Sequence, residues 1–188
     1  MALLHYPVYN KNLDIVVSSI TTLDIHDISR IARTYSLGKV YIVTPLKSQM
    51  GLVKRLFRHW TDGHGASYNP TRKEALLKTD VVKSLEDVIK EVEGFHGKRP
   101  LLIATDAKRF PGSISYDKMI YSLSKKNQYI LLFGTAWGIE KSIVTGTDFI
   151  LEPIMGIDDY NHLPVRGAVA ITLDRLFGRR NSHASESA

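Results

Sequence analysis

Two adjoining stretches decide the fold: YILLFGTAWGIEKS at 129–142 and DFILEPIMGIDDYNHLPVRGAVAITLDRLFG at 148–178. Each contains, at or near its start, a short run rich in Ile, Leu and Phe, which is typical of a buried strand. The first run leads into a glycine-rich turn at 134–138, and the second leads into a bend at 153–156. A polar loop and an apolar helical pattern follow. The sequence therefore predicts two buried strands that end in tight turns.

The final helix is predicted at 165–177, directly after Pro164, whose fixed φ suits the start of a helix. Its apolar residues recur at helical spacing. Gly167 and Ala168 are small enough to let a neighbouring element approach closely. After this helix, the polar sequence at 179–188 predicts a flexible tail.

The rest of the chain alternates short apolar runs with amphipathic stretches. Strands are predicted at 2–8, 14–20, 39–43, 101–105, 129–134 and 149–152. Helices are predicted near 24–37, 47–60, 84–94, 115–126, 138–144 and 165–177. Strands that alternate with helices predict an α/β fold, with a mostly parallel sheet flanked by helices. Because no repeat or linker divides the sequence, we expect one domain over 1–178.

The composition narrows the class of protein. The 188 residues include 25 Lys and Arg against 19 Asp and Glu, and the net charge of +6 weakly favours a polyanionic partner such as nucleic acid. The absence of cysteine excludes disulfides, thiolate metal sites and a thiol nucleophile. No apolar run approaches the ~20 residues of a membrane helix, and the N-terminus does not look like a signal peptide. We expect a cytoplasmic protein without a membrane segment.

Several common catalytic motifs are missing from the sequence. It has no GxxxxGK[ST] phosphate loop, no GxGxxG after a strand, no HExxH and no GxSxG. His59 and His64 stand five apart, but no further ligands accompany them, and we expect no bound metal. ATP hydrolysis, Rossmann-type redox chemistry and serine hydrolysis therefore lose support.

Two predicted helices carry basic faces. In TTLDIHDISRIARTY at 21–35, His26, Arg30 and Arg33 share one face at helical spacing. This face is either simply solvated or holds a phosphate, with His26 or Asp27 close to the chemistry. In KSQMGLVKRLFRHW, basic residues lie opposite an apolar stripe, where they either follow a nucleic-acid backbone or keep the surface soluble.

The turns near the C-terminus resemble those of a known class of proteins. LFGTAWG, LEPIMG and YNHLPVRGAVA are similar to the three C-terminal motifs of SPOUT RNA methyltransferases. HYPVYNK and TTLDIHDISRIARTY resemble one SPOUT family that is sometimes joined to tRNA guanine-N1 methyltransferases. The similar segments span nearly all of 3–178. The resemblance implies a deep C-terminal trefoil knot, S-adenosylmethionine as cofactor, a homodimer, and a tRNA or rRNA substrate.

The resemblance also implies that the knotted bends hold the cofactor. The residues implied to contact it are Thr105, Phe133, Gly134, Trp137, Gly138, Pro153, Ile154, Gly156, Asn161, His162 and Leu163. Glycines at the bends would let backbone groups approach the ligand, and apolar side chains would bury its adenine. SpoU-type members carry Glu in the glycine turn and Asn before the last helix, where this chain has Ala136, Trp137 and Pro164. Their RNA target and base chemistry are therefore not transferred to it.

The expected reaction is an in-line displacement at a sulfonium carbon, which needs alignment and a polarised or deprotonated acceptor but no metal. As a hypothesis, Arg30 holds the target phosphate and His26 or Asp27 assists proton removal. Asp158 and Asp159 are rival bases. The residues predicted to contact RNA are Arg33, Lys54, Arg55 and Arg58. Two alternatives stay open: a non-catalytic knotted module that binds RNA or supports a partner enzyme, and a doubly wound enzyme for a small acidic metabolite.

Overall fold

The computed structural model describes residues 1–125, 127–158 and 160–179. Its central sheet contains β1 (Ala2–Leu4), β4 (Val40–Val43), β5 (Thr79–Val82), β6 (Leu101–Ala104), β7 (Tyr129–Gly134) and β8 (Phe149–Ile150). The strand order is β5-β4-β1-β7-β6-β8, and neighbouring strands are parallel throughout. Two further strands, β2 (Val8–Tyr9) and β3 (Ile15–Val16), form a small antiparallel ribbon. The predicted α/β fold with a mostly parallel sheet is confirmed.

Helices pack on both faces of this sheet. They are α1 (Thr22–Thr34), α2 (Lys47–Thr61), α3 (His64–Tyr68), α4 (Pro70–Leu76), α5 (Leu85–His96), α6 (Tyr116–Leu123), α7 (Lys141–Thr145) and α8 (Val165–Phe177). Successive strand residues face opposite sides. Leu3 and Ile103 share one core with α1, α2, α4, α6 and α8, whereas Leu4 and Ala104 share a second core with α5 and α7. No helix in the described ranges is long and apolar enough to cross a membrane.

The N-terminal strands are shorter than predicted. β1 ends at Leu4, because the chain then passes through Pro7, which has no N–H to donate to a sheet. The expected strand at 14–20 reduces to Ile15–Val16, and it pairs with β2 rather than joining the sheet. This difference leaves the segment after β3 outside any strand.

The sequence pattern predicts no helix or strand at 64–82, whereas the structure forms α3, α4 and β5 there. β5 is a four-residue strand, too short for its alternation to stand out, and its pairing with β4 defines it. The helix expected at 138–144 is the short α7. Of the predicted flexible tail, residues 180–188 lie outside the described part of the chain.

Candidate functional site

Three bends meet at one edge of the sheet: the predicted turns at 134–138 and 153–156, and the segment that follows β6. The carboxyl ends of parallel strands lie on the same side, so the segments that follow β6, β7 and β8 come together there. They enclose a cavity of about 610 Å³. The first bend contributes residues 105–108, the second 133–138, and the third supplies residues between 152 and 163. The start of α8 completes the wall.

Most of the predicted cofactor residues line this cavity. They are Thr105, Phe133, Gly134, Trp137, Gly138, Ile154, Asn161, His162 and Leu163. Pro153 and Gly156 are not in the wall; the proline is buried and the glycine is exposed. The Asn161 side chain donates a hydrogen bond to the Ala107 carbonyl at 2.8 Å, which ties the third bend to the first.

The second bend is tight enough to require glycine. A Cβ on Gly134 would lie 2.7 Å from Ile139 Cγ1 and 2.8 Å from the Ile139 backbone nitrogen. Gly138 has a φ of +101°, and Ala136 has a φ of +52°, which is uncommon for a residue with a side chain. Tyr9 of β2 exchanges backbone hydrogen bonds with this bend, because its N–H donates to Gly138 and its carbonyl accepts from Trp137, both at 3.0 Å. The small ribbon therefore braces the bend.

Asp106, which follows Thr105 directly after the buried strand β6, is also a cavity residue. Burial raises the pKa of its carboxyl, and Oδ1 accepts from the Lys108 backbone N–H at 2.8 Å. Oδ2 borders Gly138, where a Cβ would approach it to 3.1 Å. The Thr105 hydroxyl, by contrast, donates to the Leu132 carbonyl at 2.8 Å. Asp106 thus presents a carboxylate to a ligand, whereas the Thr105 hydroxyl is already hydrogen-bonded to a backbone carbonyl.

The beginning of α1 forms another wall through Asp24. Arg166, in the first turns of α8, lies 3.4 Å from Asp24 and 2.7 Å from Asp27. The guanidinium therefore joins α1 to α8 beside the cavity. The Asp27 carboxylate, assigned to proton removal as a hypothesis, is occupied by this ion pair. Asp24 lies in the first turn of α1, where its backbone N–H donates to Oγ1 of the N-cap residue Thr21.

The other residues assigned to catalysis lie on α1 but outside the cavity wall. Arg30 is exposed. His26 packs edge-on against Trp60 with 5.3 Å between ring centroids, and its Nδ1 is buried with no hydrogen-bond partner among the described residues. Burial, and then the charge of Arg72, lower the pKa of His26. The Arg72 guanidinium covers the Trp60 ring at 4.5 Å.

The predicted RNA-contacting residues fall into two groups. Lys54, Arg55 and Arg58 are exposed on α2. Arg33 instead donates two hydrogen bonds to Glu74 of α4, from Nε at 2.8 Å and from Nη2. Arg33 is therefore paired within the protein, whereas the α2 cations face solvent.

Asp158, one of the two rival bases, is not part of the cavity wall. Asp158 is exposed, and its carboxylate accepts from the Tyr160 backbone N–H at 3.1 Å. Asp159 lies outside the described residues. No group of three or more potential metal ligands occurs in the ranges that the structure covers.

Comparison with solved structures identifies the class to which this fold belongs. The TrmH/SpoU tRNA modifying enzyme of Aquifex aeolicus has a TM-score of 0.54 and 13% identity, over 85% of this chain and 70% of that one. The SpoU methyltransferase AviRb of Streptomyces viridochromogenes, solved in complex with the cofactor AdoMet, has a TM-score of 0.54 and 15% identity, over 94% of this chain and 59% of that one. At these identities the likeness shows a shared fold, that of SPOUT methyltransferases.

The family follows from the sequence comparisons. A family model described as SAM-dependent RNA methyltransferase matches residues 1–178, and the chain belongs to this family. The predicted enzyme class and the predicted cofactor, S-adenosylmethionine, are thereby confirmed. An uncharacterized protein of Aquifex aeolicus is 43% identical over 95% of this chain and 88% of its own length.

A tRNA (guanine-N(1)-)-methyltransferase of Oleidesulfovibrio alaskensis is 46% identical over 94% of this chain. The match covers 41% of that protein, so this chain corresponds to less than half of its named relative.

Proposed function

We propose that this chain transfers a methyl group from S-adenosylmethionine to a tRNA, and that the cofactor binds in the cavity formed by the three bends. The observation that carries the proposal is their convergence on one cavity of about 610 Å³, although they follow three different strands. The proposal of tRNA rests on the name of the relative from Oleidesulfovibrio alaskensis.

The residues of the cavity fit this cofactor. Gly134 and Gly138 line the cavity, and since a glycine has no side chain, a ligand can approach the backbone of the second bend. Ile154, Leu163 and Trp137 offer apolar surface for the adenine. The Asp106 carboxylate suits a ligand that carries positive charge. When bound, S-adenosylmethionine supplies an electrophilic methyl group on its sulfonium.

We further propose that RNA approaches along α1 and α2. Arg30 is exposed and makes no ion pair with a described residue, so its guanidinium is available to hold a phosphate. The exposed cations of α2 add further phosphate contacts. His26 and Asp27 remain hypotheses for proton removal. The pairing of Asp27 with Arg166 makes it the weaker candidate, because removing a proton would require this ion pair to open.

The deep knot also stays a proposal. Its support is the contact between the segment after β6 and the segment after β8. Ile114 pairs with Leu151 as a parallel bridge, and Asn161 bonds to Ala107. Both contacts hold the third bend against the first, as a threaded chain would require.

We propose a homodimer whose interface includes the third bend. Met155, Ile157, Tyr160 and Leu163 are all exposed there, although they are large and apolar, and a second subunit would cover them. Replacing Ile157 with Asp should then produce a monomer in sedimentation equilibrium. The matched control is Phe95→Asp, since Phe95 is an exposed apolar residue on α5 on the other face of the sheet. A wild-type monomer would contradict this part of the proposal.

Nucleoside mass spectrometry of RNA from a deletion strain tests the function. We expect one methylated nucleoside to disappear from the tRNA and to return when purified protein and radiolabelled S-adenosylmethionine are added. Arg30→Ala should lower methyl transfer by about a hundredfold or more, because the target loses its alignment. The affinity for S-adenosylmethionine should stay nearly unchanged. The control is Arg99→Ala, because Arg99 is an exposed arginine that precedes the N-terminal end of β6, whereas the cavity lies at the carboxyl end.

Unchanged turnover by Arg30→Ala would contradict the role of Arg30. RNA binding without any methyl transfer would instead favour a non-catalytic module. Cofactor binding with salt-independent RNA binding would favour a small-metabolite enzyme, because phosphate contacts make RNA affinity strongly salt-dependent.

A further inference from the structure

A partly buried chain of hydrogen bonds borders the cavity, and the sequence assigned none of its residues to the site. His5 directly follows β1, Ser18 follows β3, and Thr135 lies in the second bend. Ser18 and Thr135 line the cavity. His5 is fully buried next to Ser18, with 2.9 Å between its Nδ1 and Ser18 Oγ.

The direction of each hydrogen bond follows from the Thr135 end. The Leu4 carbonyl can only accept, so the Thr135 hydroxyl, at 3.0 Å, donates to it. Thr135 has no second proton, so Ser18 donates to Thr135 across 2.5 Å. The other acceptor near Ser18, the His5 carbonyl, lies at 3.5 Å, the limit of a hydrogen bond.

Because the single Ser18 proton points to Thr135, His5 Nδ1 must carry the proton that it shares with Ser18. His5 Nε2 then bears a lone pair, and it is buried with no partner among the described residues. Burial lowers the pKa of His5 to about 4, so the ring is neutral near pH 7. The neutral ring with its proton on Nδ1 holds Ser18 in one orientation.

One acceptor position on Ser18 remains available. A hydroxyl oxygen has two lone pairs, and His5 occupies one of them. Since Ser18 lines the cavity, the other can accept a hydrogen bond from a bound molecule. Only an O–H or N–H group can donate this bond; a base carbon cannot.

We infer that Ser18 contacts the methyl-accepting atom of the RNA and that His5 is the residue that positions Ser18. The inference rests on the proposed function and narrows its substrate to a ribose hydroxyl or a base nitrogen that carries hydrogen. Ser18 suits this role by its place, because it lies in the segment leading into α1 and is hydrogen-bonded to the second bend through Thr135. The first leads to Arg30, and the second is the proposed site of the methyl donor.

Neither Ser18 nor His5 is chemically changed by the methyl transfer. The bond between methyl carbon and sulfur breaks, its electron pair stays on sulfur, and the acceptor oxygen or nitrogen forms the new bond. The new bond makes the acceptor's proton acidic, and the proton leaves to a base, the role for which His26 and Asp27 are the hypotheses. Ser18 fixes the direction of the acceptor's O–H or N–H bond while this happens, and His5 keeps its own proton on Nδ1.

Variants at both positions test the inference in the full-length protein. Ser18→Ala should lower kcat on tRNA by roughly tenfold to a hundredfold at saturating S-adenosylmethionine, while the Kd of the cofactor stays within about threefold. Ser18→Thr keeps the hydroxyl and should retain most of the activity. Ser29→Ala is the matched control, because Ser29 forms a similar buried pair with Thr79 at 2.7 Å outside the cavity wall.

His5 is tested by two amides that place their N–H groups differently. Asn presents an N–H near the position of Nδ1, and Gln presents one near the position of Nε2. His5→Asn should therefore retain more kcat than His5→Gln, with similar cofactor Kd in both.

Four results would overturn the inference. Wild-type kcat in Ser18→Ala would remove Ser18 from the reaction, and a cofactor Kd weakened about tenfold at unchanged kcat would place it in the donor site instead. Equal losses in the two His5 variants would reduce His5 to a structural role. A product methylated on a base carbon would exclude the substrate class. If the wild-type protein methylates no RNA, the proposed function itself fails, and this outcome is distinct from the other four.

Discussion

The second bend is the part of the cavity most sensitive to a single added carbon. In Gly134→Ala the new Cβ would lie 2.7 Å from Ile139 Cγ1 and 2.8 Å from the Ile139 backbone nitrogen. The side-chain contact could be relieved by rotation, but the backbone contact requires the bend itself to move. Forced overpacking costs about 1–3 kcal/mol, and at ~2–4 °C per kcal/mol for a chain of this size Tm should fall by about 2–12 °C.

Displacing this bend should also weaken cofactor binding, because the same residues form a wall of the cavity. We expect the Kd for S-adenosylmethionine in titration calorimetry to rise by about tenfold or more, which corresponds to ~1.4 kcal/mol. The matched control is Gly156→Ala in the third bend, where a Cβ would lie 3.4 Å from the Tyr160 carbonyl oxygen, an ordinary contact. If both variants melt and bind the cofactor alike, the argument that Gly134 is required by close packing is wrong.

Three further predictions concern charge. Arg166→Ala removes the ion pairs between α8 and α1, and since these groups are partly exposed, chemical unfolding should show a loss of only ~0.5–1 kcal/mol; a larger loss would mean that the pairs do more than surface pairs usually do. Burial lowers the pKa of His5 from 6.5 to about 4, so between pH 6.5 and pH 4 the unfolded chain binds a proton that the folded chain does not. The free energy of unfolding should therefore fall by up to about 3 kcal/mol as the pH drops from 6.5 to 4. His5→Asn should show a shallower fall, and an identical fall would contradict the buried neutral ring. Replacing Lys54, Arg55 and Arg58 together with Ala should make RNA binding less dependent on salt. The negative slope of the log association constant against log salt concentration should become shallower by about 2–3, and an unchanged slope would show that α2 does not contact RNA.

The sequence predicted those elements whose local pattern is strong. The helices α1, α2, α5, α6 and α8 carry clear apolar stripes, and the buried strands β4, β6 and β7 carry continuous apolar runs, so they lie close to their expected positions. It could not predict β5, because a four-residue edge strand is defined by its partner β4 rather than by its own residues. For the same reason the strand predicted at 14–20 was too long, because this segment is rich in Ile and Val but has no partner strand in the central sheet.

The candidate site divides in the same way. Thr105, Gly134 and Gly138 were found because a turn after a buried strand leaves a local mark in the sequence. Asp24 lies in the first turn of α1, where acidic residues are common, and nothing local indicated that it also faces the cavity. Arg166 gave no signal, since its partners on α1 are more than a hundred residues away along the chain.

By itself the amino-acid sequence determined the alternation of strands and helices, the glycine-containing turns at 134–138 and 153–156, and the order in which they occur. These properties depend on residues close together in the chain, where hydrophobic spacing and backbone freedom act directly. Only the tertiary structure decided that Ser18 meets Thr135, that Arg166 occupies Asp27, and that Arg33 is paired with Glu74. Such contacts join distant segments, and they arise from strand order and helix packing, which no short stretch of sequence contains.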